Sequence, residues 1–321
     1  MEEETMATVA NTYASQTATL SDALYALYGE GVSVKDRRAV HGGDCNDAHL
    51  LTLTNGARVF LKSNSFKNAG FFTAEAGGLA AIAGTKTLAT PKVLAYGADK
   101  AEGIAFLLME YIEEGRRKAD FFEAFGRNLA AMHKTTPPVN MPEGKPYGFH
   151  EDNIIGFRPQ INTPHADWIS FYRDCRLSPQ LRDAQAAGYL SKEDLRQADS
   201  VMAHLDRWLT EPEAPSLVHG DLWGGNYMTA SDGSTMIIDP AAYIGHREVD
   251  LAMSEMFGGF PAAFYRAYRE AYPLQPGYED RRPLYDLYQM LNHLNQFGTA
   301  YLGSVRRILQ GLAHTASGPR P

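Results

Sequence analysis

The stretch 217–239 limits what this chain can fold into more than any other. Leu217-Val218 ends an apolar run, and His219-Gly220-Asp221-Leu222-Trp223-Gly224-Gly225-Asn226 continues it as a glycine-rich loop. Asn226 opens a hairpin with arms Tyr227-Met228-Thr229-Ala230 and Thr235-Met236-Ile237-Ile238 around Ser231-Asp232-Gly233, and Asp239 follows the second arm. A hairpin returns its last residue beside its first, so the pattern predicts Asp239 next to Asn226 and close to Asp221. Asp and Asn are ordinary turn residues, and Asp221 five residues before Asn226 is by itself a common spacing. The apolar strand before the pair and the hairpin after it make the pattern specific.

Such a cluster suits phosphoryl transfer. That reaction needs a carboxylate to orient and deprotonate an attacking hydroxyl, here Asp221, and oxygen ligands for Mg²⁺ beside the ATP phosphates, here Asn226 and Asp239. Kinase catalytic loops use the same Asp-to-Asn step. His219 is expected to brace the loop through backbone hydrogen bonds, since a histidine base needs a partner to orient it.

Leu20, Leu24, Tyr25 and Leu27 recur at helical spacing after a polar start that is expected to fray to about Gln16. Residues 48–53 and 58–62 flank Asn55-Gly56, a strong hairpin signal. A helix is predicted over 71–83, then strands over 92–97 and 104–111. Lys62 ends a strand and Glu75 lies in the next helix, the arrangement of a lysine that binds the α/β-phosphates and its glutamate partner. Gly42, Gly43 and Asn46 sit between two strands, where backbone N–H groups could approach phosphates, or where they simply make a tight turn. Met109-Glu110-Tyr111 is a candidate hinge strand for adenine, with a buried strand end as the even alternative.

Beyond residue 116 the pattern is mainly helical, with helices predicted over 121–133, 168–186 and 193–209 and an irregular segment over 141–159. The expected fold is α+β, protein-kinase-like and two-lobed, with a small antiparallel-sheet lobe over 1–111 and a larger, mainly helical lobe over 112–321.

Bulk properties exclude several functions. A formal net charge of −8 gives no basic surface for a nucleic acid or an anionic membrane. The basic runs Arg116-Arg117-Lys118, Arg281-Arg282 and Arg306-Arg307 are short and read as solvated faces. Two cysteines, Cys45 and Cys175, rule out a disulfide scaffold and point to a reducing compartment. The acidic start Met1-Glu2-Glu3-Glu4 lacks the basic region of a signal peptide, so a cytoplasmic location is expected.

With these motifs in place the chain resembles the fructosamine kinase (ketosamine 3-kinase) family, within the wider aminoglycoside-phosphotransferase-like group. The likeness runs from about Gly42 to Leu312. It rests on the loop 219–226, on Ile238-Asp239-Pro240-Ala241 with Tyr243-Ile244-Gly245-His246-Arg247-Glu248, and on Met256-Phe257-Gly258-Gly259-Phe260. It extends to Leu291-Asn292-His293-Leu294-Asn295-Gln296-Phe297-Gly298, and to Phe149 through Gln160 and Asp167-Trp168 with Arg176-Leu177-Ser178-Pro179-Gln180.

The resemblance implies transfer of the γ-phosphate of ATP, with Mg²⁺, to the 3-hydroxyl of a ketosamine, followed by breakdown of the phosphate and release of the amine. The substrate would be a small-molecule ketosamine or a glycated lysine on a protein, and the enzyme a monomer or homodimer. Trp223, His293 and Asn295 become candidates for the sugar site, because aromatic faces pack on the C–H side of sugars. Asp167 and Trp168 are expected to be structural. Cys45 lies where relatives can carry a redox-sensitive cysteine, and nearby backbone N–H groups could lower its thiol pKa. Asp239 is followed by Pro240 and no Ala-Pro-Glu segment appears, so activation-loop control is not expected. The rival readings are a kinase for aminoglycosides or amino alcohols and a nucleotide-binding pseudokinase.

Overall fold

In the computed structural model the described residues are 15–40 and 46–316. The expectations for Gly42, Gly43 and Cys45 therefore lie outside them. The described part starts with strand β1 (Ser15–Thr17) and helix α1 (Leu20–Tyr28), which Thr19 caps by accepting from the Asp22 N–H. Strands β2 (Val34–Ala39), β3 (Asp47–Leu53) and β4 (Arg58–Ser65) follow, then helix α2 (Ala69–Gly84) and strands β5 (Val93–Asp99) and β6 (Ile104–Glu110).

These six strands form one sheet in the order β1-β5-β6-β4-β3-β2, all neighbours antiparallel except β1 on β5. Asn55-Gly56 makes the β3–β4 turn, as predicted. The fraying expected to about Gln16 does not hold for Ser15 and Gln16, which pair with Ala95 and Tyr96. Strand β6 shows why its sequence is almost continuously apolar. Phe106 and Leu108 pack with Leu24, Leu51 and Leu61 on the α1 side, while Leu107 and Met109 pack with Phe72 and Leu79 of α2 on the other. A strand buried on both faces needs no alternation.

Helix α3 (Phe121–Lys134) begins the helical part, followed by the hairpin β7 (Asn153–Ile155) and β8 (Arg158–Gln160), so the segment expected to be irregular is partly ordered by strand pairing. Helices α4 (Trp168–Tyr172) and α5 (Ser178–Ala186) are joined through a π-turn over Arg173–Leu177, close to the single predicted helix. Asp167 caps α4 by accepting from the Ser170 N–H, and Trp168 is fully buried, so both are structural. Helix α6 (Lys192–Met202) ends earlier than predicted; the chain turns at His204 into a short 3₁₀ turn, Leu205–Arg207.

Short strands β9 (Ser216–Val218), β10 (Tyr227–Thr229), β11 (Thr235–Ile237) and β12 (Tyr243–Gly245) carry the loop 219–226 and the residues after it. They pair as β9 with β12 and β10 with β11, both antiparallel. Helices α7 (Glu248–Glu255), α8 (Ala262–Ala271), α9 (Tyr278–Phe297) and α10 (Leu302–Ala316) complete the described residues. One large core unites these elements around Phe125, Trp168, Phe171, Tyr243 and Leu291. The fold is α+β, a mostly antiparallel sheet with its helices followed by a mainly helical part.

One basic run is not a solvated face. Arg281 is buried and forms a two-pronged pair with Glu248, through Nε at 2.8 Å and Nη2 at 2.7 Å, and Tyr285 donates to the same carboxylate. The guanidinium fork matches a carboxylate, which lets a charge sit inside the core.

Candidate active site

The loop after β9 is held from below. Asp250, fully buried near the start of α7, accepts from the backbone N–H of His219 at 2.7 Å and of Gly220 at 2.9 Å, and meets His133 Nε2 at 3.1 Å. Gly220 has φ 82°, and a Cβ there would lie 2.1 Å from the carbonyl oxygen of Ala241, so the loop can approach the chain after Asp239 only at a glycine. His219 Nε2 donates to the Ile238 carbonyl at 2.9 Å, while its Nδ1 accepts from the Asp221 N–H at 3.3 Å. Burial pushes its pKa down. With both ring nitrogens occupied, His219 braces the loop and has no free nitrogen for a substrate proton.

Asp221 reaches the floor of a cavity of about 470 Å³. Asn226 donates through Nδ2 to the Asp221 carbonyl at 2.7 Å and to its carboxylate at 3.0 Å. Burial pushes the Asp221 carboxyl up to about 7, opposed by the Asn226 hydrogen bond, which favours the ionised form. The β10–β11 register pairs Tyr227 with Ile237, and Ile238 N–H donates to the Asn226 carbonyl at 3.0 Å. Asp239 is thereby delivered into the same cavity, in the left-handed region at φ 56°.

Across the cavity, Lys62 of β4 is buried and donates to Glu75 of α2 at 2.6 Å and to Asp239. Burial alone would lower the lysine pKa, but the Asp239 and Glu75 carboxylates outweigh it and keep the ammonium charged. A fixed cation thus faces Asp221, Asn226 and Asp239, an arrangement that can seat phosphate groups between them. Among the described residues no group of three His, Cys, Asp or Glu side chains could hold a metal by itself. Asn226, whose amide nitrogen is committed to Asp221, and Asp239 offer hard oxygen atoms suited to a divalent cation that completes its shell with phosphate and water.

The other predicted residues divide. Asn46 lines the cavity and its Oδ1 accepts from Asn64 at 2.8 Å. Trp223 lines it with 38% of its surface exposed, so it is not a core tryptophan beneath the loop. Gly225 makes room for the indole, since a Cβ there would fall 2.3 Å from its ring. His293 also lines the cavity, and its Nδ1 lies 2.8 Å from the Gln289 carbonyl one helical turn back.

Asn295 does not line it. Its amide donates to Gln180 of α5, at 2.9 Å to the carbonyl and 2.6 Å to Oε1, and the cavity instead meets Asn292, His293, Gln296 and Phe297. Helical phase explains the difference, because 292, 293, 296 and 297 share a face that 295 leaves. Met109, Glu110 and Tyr111 also lie outside the cavity lining. Met109 is buried against α2, the Glu110 carboxylate accepts from the Lys92 N–H at 2.8 Å, and Tyr111 stacks under Arg58.

Sequence reasoning missed Asp250, Asn153, Asn292, Gln296 and the rings of Phe257, Phe297 and Tyr301. Asn292 and Gln296 carried a usable signal, their helical phase with His293. Asn153 donates to the Ala242 carbonyl at 2.7 Å and so ties β7 to the segment after Asp239.

The chain matches the Fructosamine kinase family over residues 16–315. It is 37% identical over 293 residues to a Synechocystis protein assigned as a ketoamine kinase, covering 91% of this chain and 95% of that one. It is 39% identical over 273 residues to the chloroplastic protein-ribulosamine 3-kinase of Oryza sativa subsp. indica, covering 84% and 76%. Its structure superposes with a TM-score of 0.78 on a Haemophilus somnus crystal structure assigned as a fructosamine-3-kinase, at 29% identity and with 92% and 96% coverage. An aminoglycoside phosphotransferase shares the protein-kinase-like fold at a TM-score of 0.56 and 15% identity over 93% of this chain and 99% of that one, which bears on the fold alone.

Proposed function

The chain belongs to the fructosamine kinase family, and we propose that it transfers the γ-phosphate of ATP to the 3-hydroxyl of a ketosamine. The observation that carries this reading is the single cavity holding Asp221 opposite the Lys62–Glu75 pair, with Asn226 and Asp239 between them. Asp221 takes the proton of the 3-hydroxyl as its oxygen bonds to the γ-phosphorus and the bond to the β-phosphate oxygen breaks, releasing ADP. A carboxyl with a pKa near 7 is suited to that task at neutral pH. Lys62, fixed by Glu75, meets the α/β-phosphates. Asn226 and Asp239 would hold Mg²⁺, which when bound neutralises charge on the phosphates.

The acceptor class rests on the relatives' names and on the cavity wall. Among the described residues the carboxylates lining the cavity are Glu75 and Asp239, which hold Lys62, and the base Asp221. Among the described residues a polycationic aminoglycoside would find no acceptor-side carboxylate besides Asp221, whereas Trp223 offers a ring face to a sugar. The same proposal includes glycated lysine of peptides or proteins as the natural amine and a cytoplasmic setting for a two-cysteine chain; among the described residues no helix is long and apolar enough to cross a membrane.

A coupled ATPase assay with ribulose-lysine, fructose-lysine, kanamycin and choline tests it. Turnover of the two ketosamines is the expected result. Turnover of kanamycin or choline alone would assign the site to another acceptor, and ATP binding without any transfer would make the chain a pseudokinase.

A further inference from the structure

We propose that the rings at the open end of the cavity form a track for the substituent carried by the ketosamine's amine, with Phe257 as its specificity-determining residue; this rests on the ketosamine reading above. The rings run continuously outward from the catalytic loop. Trp223 meets Phe257 edge-on at 6.2 Å, Phe257 meets His293 at 5.1 Å, and His293 meets Tyr301 at 5.0 Å and Phe297 at 5.7 Å. All five line the cavity.

Phe257 is the unusual member. It is 52% exposed and has φ 52°, a conformation that side chains other than glycine rarely adopt. Neither burial nor backbone ease accounts for a phenyl ring there. Strained, exposed residues beside a cavity are a mark of ligand contact, and Phe297 is exposed beside it to 45%.

Substrate chemistry says what the track receives. Only the bonds C3–C2, C2–C1 and C1–N separate the phosphorylated carbon from the amine nitrogen. With the 3-hydroxyl at Asp221 the nitrogen is still inside the cavity, and its substituent must leave along the wall beyond Trp223. The protonated secondary amine is attracted to ring faces, and methylenes after it are removed from water by the same rings. Among the described residues, no Lys or Arg apart from Lys62 lines the cavity, and no carboxylate lies on the aromatic side. A free α-carboxylate or α-ammonium would find no charged partner there among the described residues. The track therefore takes an alkyl stem with an uncharged end, as on a lysine side chain within a peptide.

The test compares ribulose adducts of methylamine, butylamine, free lysine and Nα-acetyl-lysine methylamide, on wild type and on Phe257→Gly and Phe297→Ala. In wild type, kcat/KM should rise about tenfold from the methylamine to the butylamine adduct, mainly through KM, as methylenes are buried. The capped lysine adduct should match butylamine and exceed free lysine about threefold or more. Both variants should shrink the methyl-to-butyl rise to about twofold. Glycine suits the backbone of residue 257, so the thermal midpoint of Phe257→Gly should not fall. Equal KM for the methyl and butyl adducts in wild type, or a full rise kept in both variants, would overturn the track. Free lysine used as well as the capped form would overturn its uncharged end. Wild type inert on every adduct but able to bind ATP would instead remove the ketosamine reading and this inference with it.

Discussion

Asn226 holds Asp221 by two hydrogen bonds from one amide, to the carbonyl at 2.7 Å and to the carboxylate at 3.0 Å. The second bond favours the ionised carboxylate. Asn226→Ala should lower kcat by about 10²-fold or more, as a positioned acid–base group loses its geometry. It should also move the acid limb of the kcat/KM profile to higher pH, because the bond that lowers the Asp221 pKa is gone. A pH profile with an unmoved acid limb would detach Asn226 from the tuning of Asp221.

As the proposed base, Asp221 would act on the acceptor and not on the nucleotide, so Asp221→Asn should reduce kcat by roughly 10²–10⁴-fold and leave ATP affinity within about threefold. Single-turnover rates and a nucleotide-binding isotherm separate the two. Turnover close to wild type would take the role of base from Asp221.

The same variant carries a stability prediction of opposite sign. An unfolded Asp titrates at about 3.9, while the folded Asp221 does so at about 7. Between these values the folded state keeps a proton that the unfolded chain has lost, so stability falls as pH rises. Asparagine does not titrate. At pH 8, without nucleotide, Asp221→Asn should exceed wild type by on the order of 1–3 kcal/mol, less than the full shift because one side of Asp221 opens to the cavity. The margin should shrink towards pH 4. Parallel unfolding midpoints from pH 5 to 8 would contradict this.

Lys62→Met removes the cation between Glu75 and Asp239 and leaves a buried carboxylate without its partner. Its effect should fall on the nucleotide: KM for ATP should rise at least about tenfold, the scale of a lost charge-assisted hydrogen bond, with a much smaller change in KM for the ketosamine. An equal rise in both would mean that Lys62 shapes the whole cavity.

Asp250→Ala orphans the N–H groups of His219 and Gly220, each at about 1–3 kcal/mol if left unsatisfied. Asp250→Asn keeps one acceptor oxygen and should lose less. Chemical denaturation should rank wild type above Asp250→Asn above Asp250→Ala. The kcat of both variants should fall while ATP affinity holds. Reversal of that ranking would mean that the loop is supported elsewhere.

What could be read from the sequence was local. Asp221, Asn226 and Asp239 follow from a strand, a five-residue step and a hairpin, and each of these is encoded by neighbours. Lys62 with Glu75 follows from a strand passing into a helix. Asp250 could not be read in this way, because its partnership with His219 and Gly220 depends on where α7 docks, some 30 residues on. Asn295, two residues after His293, turns to the other side of α9, whereas Asn292 and Gln296 stay on the His293 side, a distinction that helical phase carries. Arg281 looked like surface charge because its partner Glu248 is distant in the chain. The aromatic track draws on the catalytic loop, the turn after α7, α9 and the turn after it, so no single stretch displays it.

The contact of Lys62 with Asp239 also bears on the order of arrival. The lysine occupies one of the two side chains that Mg²⁺ would use, so a cation coming alone must compete with an ammonium already in place. A nucleotide would supply phosphates that draw the lysine away and bring their own charge to the metal. Metal and ATP should therefore enter as one complex, and free Mg²⁺ should bind this protein poorly until the nucleotide is there to receive Lys62.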